Sequence, residues 1–330
     1  MFSVLSVASV ASVAFFSVVA RKARLPFPAR RVMLSSPMDK IELFDEEGRS
    51  RGFYSNKNRL NDLTGREWVF WTRSVITKPY PPNLCHKLRS RHGGQKPPDL
   101  CRDIINVFTK KGETVLDPFM GVGGVLLGAA LSGRIATGIE IEPAWIDVYR
   151  EVCEKEGLPV METRAGEAGS VLDGLRDRTF DFLFTDVPYF AMDKAPRSKG
   201  AYKKTGEAAR PAPGTRLRAF NDITYRSKDE WLERMHEVFV KAVGLLRPEG
   251  YAAVFIGDMV YGGEYHCLSA ELAGKLLTIP GLSWKANLVW YDVSKKLHLY
   301  GYQYTYIPSM IHQNIVIMKK DADRDDAPRS

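Results

Sequence analysis

From about residue 112 onward the chain alternates short, β-rich apolar runs with helical stretches, and this pattern constrains the fold more than any other feature. TVLD, RIATGIE, DFLFTD, YAAVFIGD and NLVWYD read as strands. GVLLGAALSG, EPAWIDVYREVCEKEG, KDEWLERMHEVFVKAVGLL and HCLSAELAGKLL read as helices by length, Ala/Leu/Glu content and apolar spacing. Apolar strands joined by helices imply a mostly parallel sheet covered on both faces, a doubly wound α/β domain. NIVIMKK reads as the last strand. The connection before it, LHLYGYQYTYIPS, is too short for a crossover helix, so an antiparallel closing strand is expected. Ahead of the sheet, PPDLCRDIINVFTKKG places Leu100, Ile104, Ile105 and Phe108 on one helical face, whereas residues 38–90 lack clear periodicity and read as an irregular extension. The polar end, residues 321–330, reads as a disordered tail.

The first twenty residues are apolar enough for a signal or membrane segment, but no basic stretch precedes them. Residues 1–37 also carry five basic residues and no acid, which suits an organellar targeting segment, while Met33 and Met38 are alternative starts that would remove it. Without Arg21, Lys22, Arg24, Arg30 and Arg31 the formal charge falls from +8 to +3. The remaining body is expected to be cytoplasmic and nucleoid-associated, with no stable membrane association. Cys85, Cys101, Cys153 and Cys267 are scattered, without CxxC pairs or metal-ligand spacing, so neither a disulfide framework nor a metal site is expected.

TVLDPFMGVGGVLLGAA is a strand, a glycine-bearing turn and a helix, an arrangement that exposes backbone amides to a ligand at a helix N-terminus. It lacks the full GxGxxG spacing of a dinucleotide site. RIATGIE then ends a second strand in Glu140, placed to accept hydrogen bonds from ribose hydroxyls. AGEAGSVL puts Gly166, Glu167 and Ala168 in the turn after a third strand, where a side chain can read an adenine edge. Three such turns on one rim of a sheet suit a nucleoside ligand.

These motifs resemble those of the DNA N4/N6 amino-methyltransferases, which use S-adenosylmethionine (SAM). DPFMGVG, residues 117–123, resembles the cofactor loop; GIE, 138–140, the ribose acid; and TDVPY, 185–189, the catalytic (D/N/S)PPY. RHGGQKP resembles an HxxQKP segment, with His92, Gln95, Lys96 and Pro97 as its matches, and IPSMIHQNIVIMKK resembles the closing strand. The resemblance spans residues 91–319 and implies a Rossmann-like SAM-dependent methyltransferase sheet over 91–320. It implies SAM contacts from Gln95, Lys96, Pro97, Asp117, Phe119, Gly121, Gly123, Glu140, Ile141, Gly166, Glu167 and Ala168. Asp117 would take the methionine amino group, and Phe119 would lie near the sulfonium. The departures are Val187 for the usual first proline, Glu167 for Asp, and Gly124 where Thr is frequent.

The amino group of adenine or cytosine is a poor nucleophile because its lone pair is delocalised into the ring. On this reading the Asp186 carboxylate and the Val187 carbonyl each accept one amino N–H, aiming the lone pair at the methyl group, while Tyr189 stacks on the extruded base. Pro188 biases the residue before it toward the extended region, so Val187 keeps the acceptor. Asp186, Val187, Pro188 and Tyr189 are thus the expected catalytic residues, and a Val187→Pro variant is expected to turn over faster.

Residues 194–228 hold ten Lys or Arg against Glu207 and Asp222, with Tyr202, Phe220 and Tyr225 among them. This insert, taken as 193–228, is expected to contact the phosphates of DNA, with RNA a weaker partner, through Lys199, Lys203, Lys204, Arg210, Arg216 and Arg218. The expected activity is adenine-N6 methylation of DNA within a restriction-modification setting. Cytosine-N4 methylation, RNA guanine-N2 methylation and a catalytically silent SAM- and DNA-binding protein are the alternatives.

Overall fold

A computed structural model describes residues 40–45, 47–190, 225–297 and 304–322. The segment 1–37, the six basic residues between Lys199 and Arg218, and the tail from 323 lie outside the described residues. The described residues belong to one compact unit.

The stretch 38–90, expected to be irregular, holds a hairpin of β1 (Lys40–Phe44) and β2 (Ser50–Ser55), the helix α1 (Gly65–Trp71), the short strand β3 (Val75–Ile76) and the single turn α2 (His86–Arg89). Its order comes from polar anchors more than from periodicity. Thr64 and Glu67 form a reciprocal capping box at the start of α1, and buried Asn61 donates to the Val107 carbonyl at 2.7 Å. Arg89, 1% exposed, donates to the carbonyls of Asn83 and Leu84 at 2.8 Å.

Next come α3 (Pro98–Phe108), β4 (Thr114–Asp117), α4 (Gly124–Ser132), β5 (Ile135–Glu140), α5 (Pro143–Glu156), β6 (Glu162–Ala165), α6 (Ala168–Asp173) and β7 (Phe180–Asp186). After the basic insert follow α7 (Lys228–Gly244), β8 (Leu246–Ile256), the small pair β9 (Met259–Tyr261) and β10 (Glu264–His266), α8 (Leu268–Leu276), β11 (Leu282–Tyr291) and β12 (His312–Lys320). Helix ends follow their local chemistry. Pro98 and Pro143 occupy the first turns of α3 and α5, Ser227 caps α7, and Gly133 and Gly157 close α4 and α5 in the left-handed region.

Among the described residues the main sheet has eight strands in the order β3-β11-β12-β8-β7-β4-β5-β6. β4, β5, β6, β7 and β8 run parallel, and β12 is antiparallel to both β8 and β11, as expected of the closing strand. The chain winds outward from β4 through β5 to β6, then crosses back to place β7 on the other side of β4. The gap beyond the carboxyl ends of β4 and β7 is therefore a topological switch point, where loops diverge and leave a crevice.

Alternate residues of each strand feed opposite layers. Leu116, Leu183, Val254 and Val316 pack with α6, α7 and α8, while Val115, Phe182, Phe255 and Ile315 pack with α3, α4 and α5. All eight are at most 1% exposed, so both faces are covered and the carboxyl rim is left for a ligand.

Candidate active site

β4 ends in Asp117, which is 2% exposed. One of its oxygens, Oδ1, accepts from the Thr185 hydroxyl at 2.6 Å and from the Phe119 amide at 3.1 Å. These donors are neutral, and burial pushes the carboxyl up to about 7 in spite of them, with nearby Asp186 and Glu140 adding to the rise. After it the chain turns through Gly121, whose amide donates to Glu140 Oε2 at 2.9 Å. Gly121 has φ +50°, and a Cβ there would sit 3.0 Å from the His92 imidazole. The glycine is required by both its backbone and its neighbour.

Glu140 is buried at the end of β5, with its second oxygen accepting from the Glu142 amide at 2.9 Å. Burial raises its pKa against these amide bonds. At the end of β6, Glu167 caps α6 by accepting from the Ser170 amide at 2.7 Å. Burial opposes its ionisation, but the Ser170 and Gly169 amides outweigh that and hold the carboxyl below its ordinary range.

These turns enclose a cavity of about 410 Å³, within the range of small-molecule sites. Asp117, Phe119 and Gly121 line it from the first turn, Glu140 and Ile141 from the second, and Gly166, Glu167 and Ala168 from the third. Gln95 and Lys96 line it from the segment before α3, and Asp186 and Pro188 from the loop after β7. Four expected contact residues do not line it. Pro97 is the residue that caps the start of α3, its carbonyl taking the Cys101 amide at 3.1 Å. Gly123 faces away, because a Cβ there would come within 2.3 Å of the Tyr149 ring. Val187 is 2% exposed and belongs to the core, and Tyr189 packs against that core.

Of the expected catalytic loop, Asp186 and Pro188 line the cavity, unlike Tyr189. Its hydroxyl donates to Asp186 Oδ1 at 2.9 Å and accepts from Gln313 Nε2 at 3.0 Å. Lys96, expected only to wall the cofactor pocket, forms an ion pair with Asp186 Oδ2. Burial raises the pKa of Asp186, with Lys96 the largest opposing influence. Trp231, fully buried on α7, donates from Nε1 to the Pro188 carbonyl at 2.7 Å. Among the described residues no donor reaches the Val187 carbonyl.

Sequence reasoning missed Trp231, Gln313 and the α7 wall of the cavity, where Arg234, Met235 and Val238 lie with Tyr225. Trp231, Met235 and Val238 repeat at helical spacing, which reads equally well as an ordinary core stripe. Tyr225, expected in the phosphate-binding insert, instead lines the cavity and packs on the core. Gln313 carried no signal beyond its place in the closing strand.

Residues 45–151 match the family model described as DNA methylase, N6_N4_Mtase. In this stretch the chain is similar to the N6/N4 amino-methyltransferase family. The match spans the cofactor-side turns through Glu140 and ends before TDVPY. Among relatives, the tRNA (guanine(10)-N2)-dimethyltransferase of Pyrococcus abyssi is 30% identical over 46% of this chain and 42% of its own length. The type II methyltransferase M2.DpnII of Streptococcus pneumoniae is 33% identical over 34% of this chain and 39% of its own. M.BglI of Bacillus subtilis, also a type II methyltransferase, is 33% identical over 31% of this chain and 30% of its own. The chain thus spans less than half the length of each of these three relatives.

The cofactor of this family is SAM, and the cavity suits it. Asp117 is a buried carboxylate met by neutral donors, Glu140 is an oriented acid on the adjacent strand, and the buried Gln95 Oε1 has no hydrogen-bond partner among the described residues. An ammonium, a ribose and a further donor answer these three groups respectively.

Proposed function

We propose that the protein methylates the exocyclic amino group of a nucleic-acid base, with adenine N6 of DNA as the acceptor. The observation that carries this reading is the pairing of Asp117 and Asp186 at the ends of adjacent strands β4 and β7, both opening into one cavity. The Thr185–Asp117 hydrogen bond ties the two ends together.

When bound, SAM supplies a methyl group on a cationic sulfur. The chain's task is to hold it and to prepare the incoming amino nitrogen. Asp117 binds the ammonium and Glu140 the ribose hydroxyls. Asp186 accepts one amino N–H and the Val187 carbonyl accepts the other, turning the nitrogen lone pair toward the cavity. Trp231 holds the neighbouring Pro188 carbonyl, and among the described residues the Val187 carbonyl takes no donor. Positive charge develops on the nitrogen as its new bond forms, and the Asp186 carboxylate stabilises it. The same carboxylate is a base in place for the proton that the nitrogen then gives up.

The basic insert supplies phosphate contacts on this reading. A second reading, guanine N2 of RNA, is favoured by the name of the Pyrococcus abyssi relative. Gly124 is consistent with either, since a Cβ there would come within 3.0 Å of the Lys96 carbonyl. The test is to incubate the protein with labelled SAM and either DNA or total tRNA, digest to nucleosides and separate them. Label in N6-methyldeoxyadenosine is expected. Label in N2-methylguanosine establishes the second reading, and label in neither nucleic acid contradicts both.

A further inference from the structure

The ion pair between Lys96 and Asp186 joins two segments 90 residues apart, and neither the cofactor role expected of Lys96 nor the amino-acceptor role of Asp186 accounts for it. Lys96 is 7% exposed. Its ammonium lies 5.3 Å from the Phe255 ring centre and 5.8 Å from that of Tyr189, and among the described residues its other polar contact, the Gly94 carbonyl, is a long 3.4 Å. A buried ammonium with so little else around it depends on its counter-charge. Asp186 is held equally closely: Oδ2 by Lys96 and Oδ1 by the Tyr189 hydroxyl, which Gln313 fixes in turn. Both edges of the carboxylate are therefore pinned, and its plane is set.

We propose that Lys96 is a positioning residue for the amino-group acceptor, holding the Asp186 carboxylate in one orientation and in its acceptor-only, ionised form at the cavity wall. The proposal rests on the functional reading given above. A protonated Asp186 would offer a donor where the base also offers one, and the amino group would lose its acceptor. The charged and titratable groups around Asp186 divide by sign. Lys96 from the segment before α3 and Lys295 from the β11–β12 connection favour ionisation; Asp117 at the end of β4 opposes it, and Tyr189 from the same loop donates a neutral hydrogen bond. Cys101 of α3 also lies within electrostatic range, its thiol pushed far up by burial and hence neutral. Of these, Lys96 is the one in direct ionic contact. Burial raises the Asp186 carboxyl even with Lys96 present, so removing the lysine leaves the burial effect largely unopposed.

The test compares full-length Lys96→Met and Lys96→Arg with the natural chain. Aspartate carboxyl carbons are titrated by NMR, with the Asp186 signal identified by its absence in Asp186→Asn. Lys96→Met is expected to move the Asp186 titration upward by about 1–3 pH units, and Lys96→Arg to reverse most of that movement. The pH profile of single-turnover methyl transfer at saturating SAM is expected to keep its shape but move its acid limb upward by the same amount as the Asp186 titration, with SAM affinity changed little. An Asp186 titration that Lys96→Met leaves in place overturns the pairing whatever the activity. A natural chain that methylates no nucleic acid, while Lys96→Met still moves Asp186, overturns the functional reading and supports the pairing. Should Lys96→Met fail to fold, Asp186→Asn reads the same coupling from the other side. The Lys96 side-chain NMR signals should then shift as the ammonium loses its partner, and signals identical to those of the natural chain overturn the proposal.

Discussion

At the scale of single residues, Asp117 makes the most specific demand on a ligand. Its folded pKa of about 7 lies above the ordinary carboxyl value of 3.8, so the unliganded chain has this residue's full contribution to stability below pH 4 and loses it as pH rises through 7. A ligand ammonium removes that penalty by pairing with the ionised form. SAM binding measured by calorimetry is therefore expected to tighten by up to about tenfold per pH unit between roughly pH 5.5 and 7, where an α-amino group remains charged. In Asp117→Asn the affinity should be weaker and nearly flat over that interval. A natural chain whose affinity is equally flat would remove Asp117 from the amino-binding role.

At the scale of elements, α7 is a wall of the site as well as a core helix. Trp231 occupies one side of it and donates to the Pro188 carbonyl, while Met235 and Val238 lie against the cavity. Trp231→Phe keeps most of the packing and leaves that carbonyl without its donor, a loss of about 1–3 kcal/mol. Methyl transfer in Trp231→Phe is expected to fall several-fold or more with SAM affinity preserved; equal losses in both would mean that α7 supports only the fold. The main strands and helices from residue 98 onward were legible because periodicity and turn residues report them directly, whereas the short α6, β9 and β10 carry too few residues to show a period. The hairpin, α1 and β3 were not, because their order depends on side-chain anchors such as Thr64–Glu67 and Asn61–Val107, which leave no periodic trace. Trp231 was hidden for a related reason, since a buried indole in an apolar stripe looks like any core residue until its donor is seen to reach another loop.

At the scale of the whole molecule, the sequence order of the turns becomes a spatial order only through the sheet. Asp117 and Asp186 lie far apart in the chain and meet because β7 returns to the free side of β4. The motifs DPFMGVG, GIE and TDVPY were readable as local signals, and the switch point explains why they share one cavity. The Lys96–Asp186 pair and the Gln313–Tyr189 bond were unreadable, since each joins segments whose proximity only the closed sheet creates. The basic insert belongs to this scale as well. On the proposed reading that each supplies a phosphate contact, Lys203→Ala/Lys204→Ala is expected to lower the salt dependence of DNA binding by about 2 in log–log slope. An unchanged slope would separate the insert from the nucleic acid.

On the proposed reading, Asp186 is the amino-group acceptor opposite a SAM cavity built by the other turns. The most direct test of that reading is single-turnover methyl transfer by Asp186→Ala, with SAM affinity measured on the same sample. Transfer reduced by roughly 10²- to 10³-fold, with SAM binding within a few-fold of the natural chain, is the expected result. Transfer at the natural rate from a protein lacking that carboxylate would contradict it.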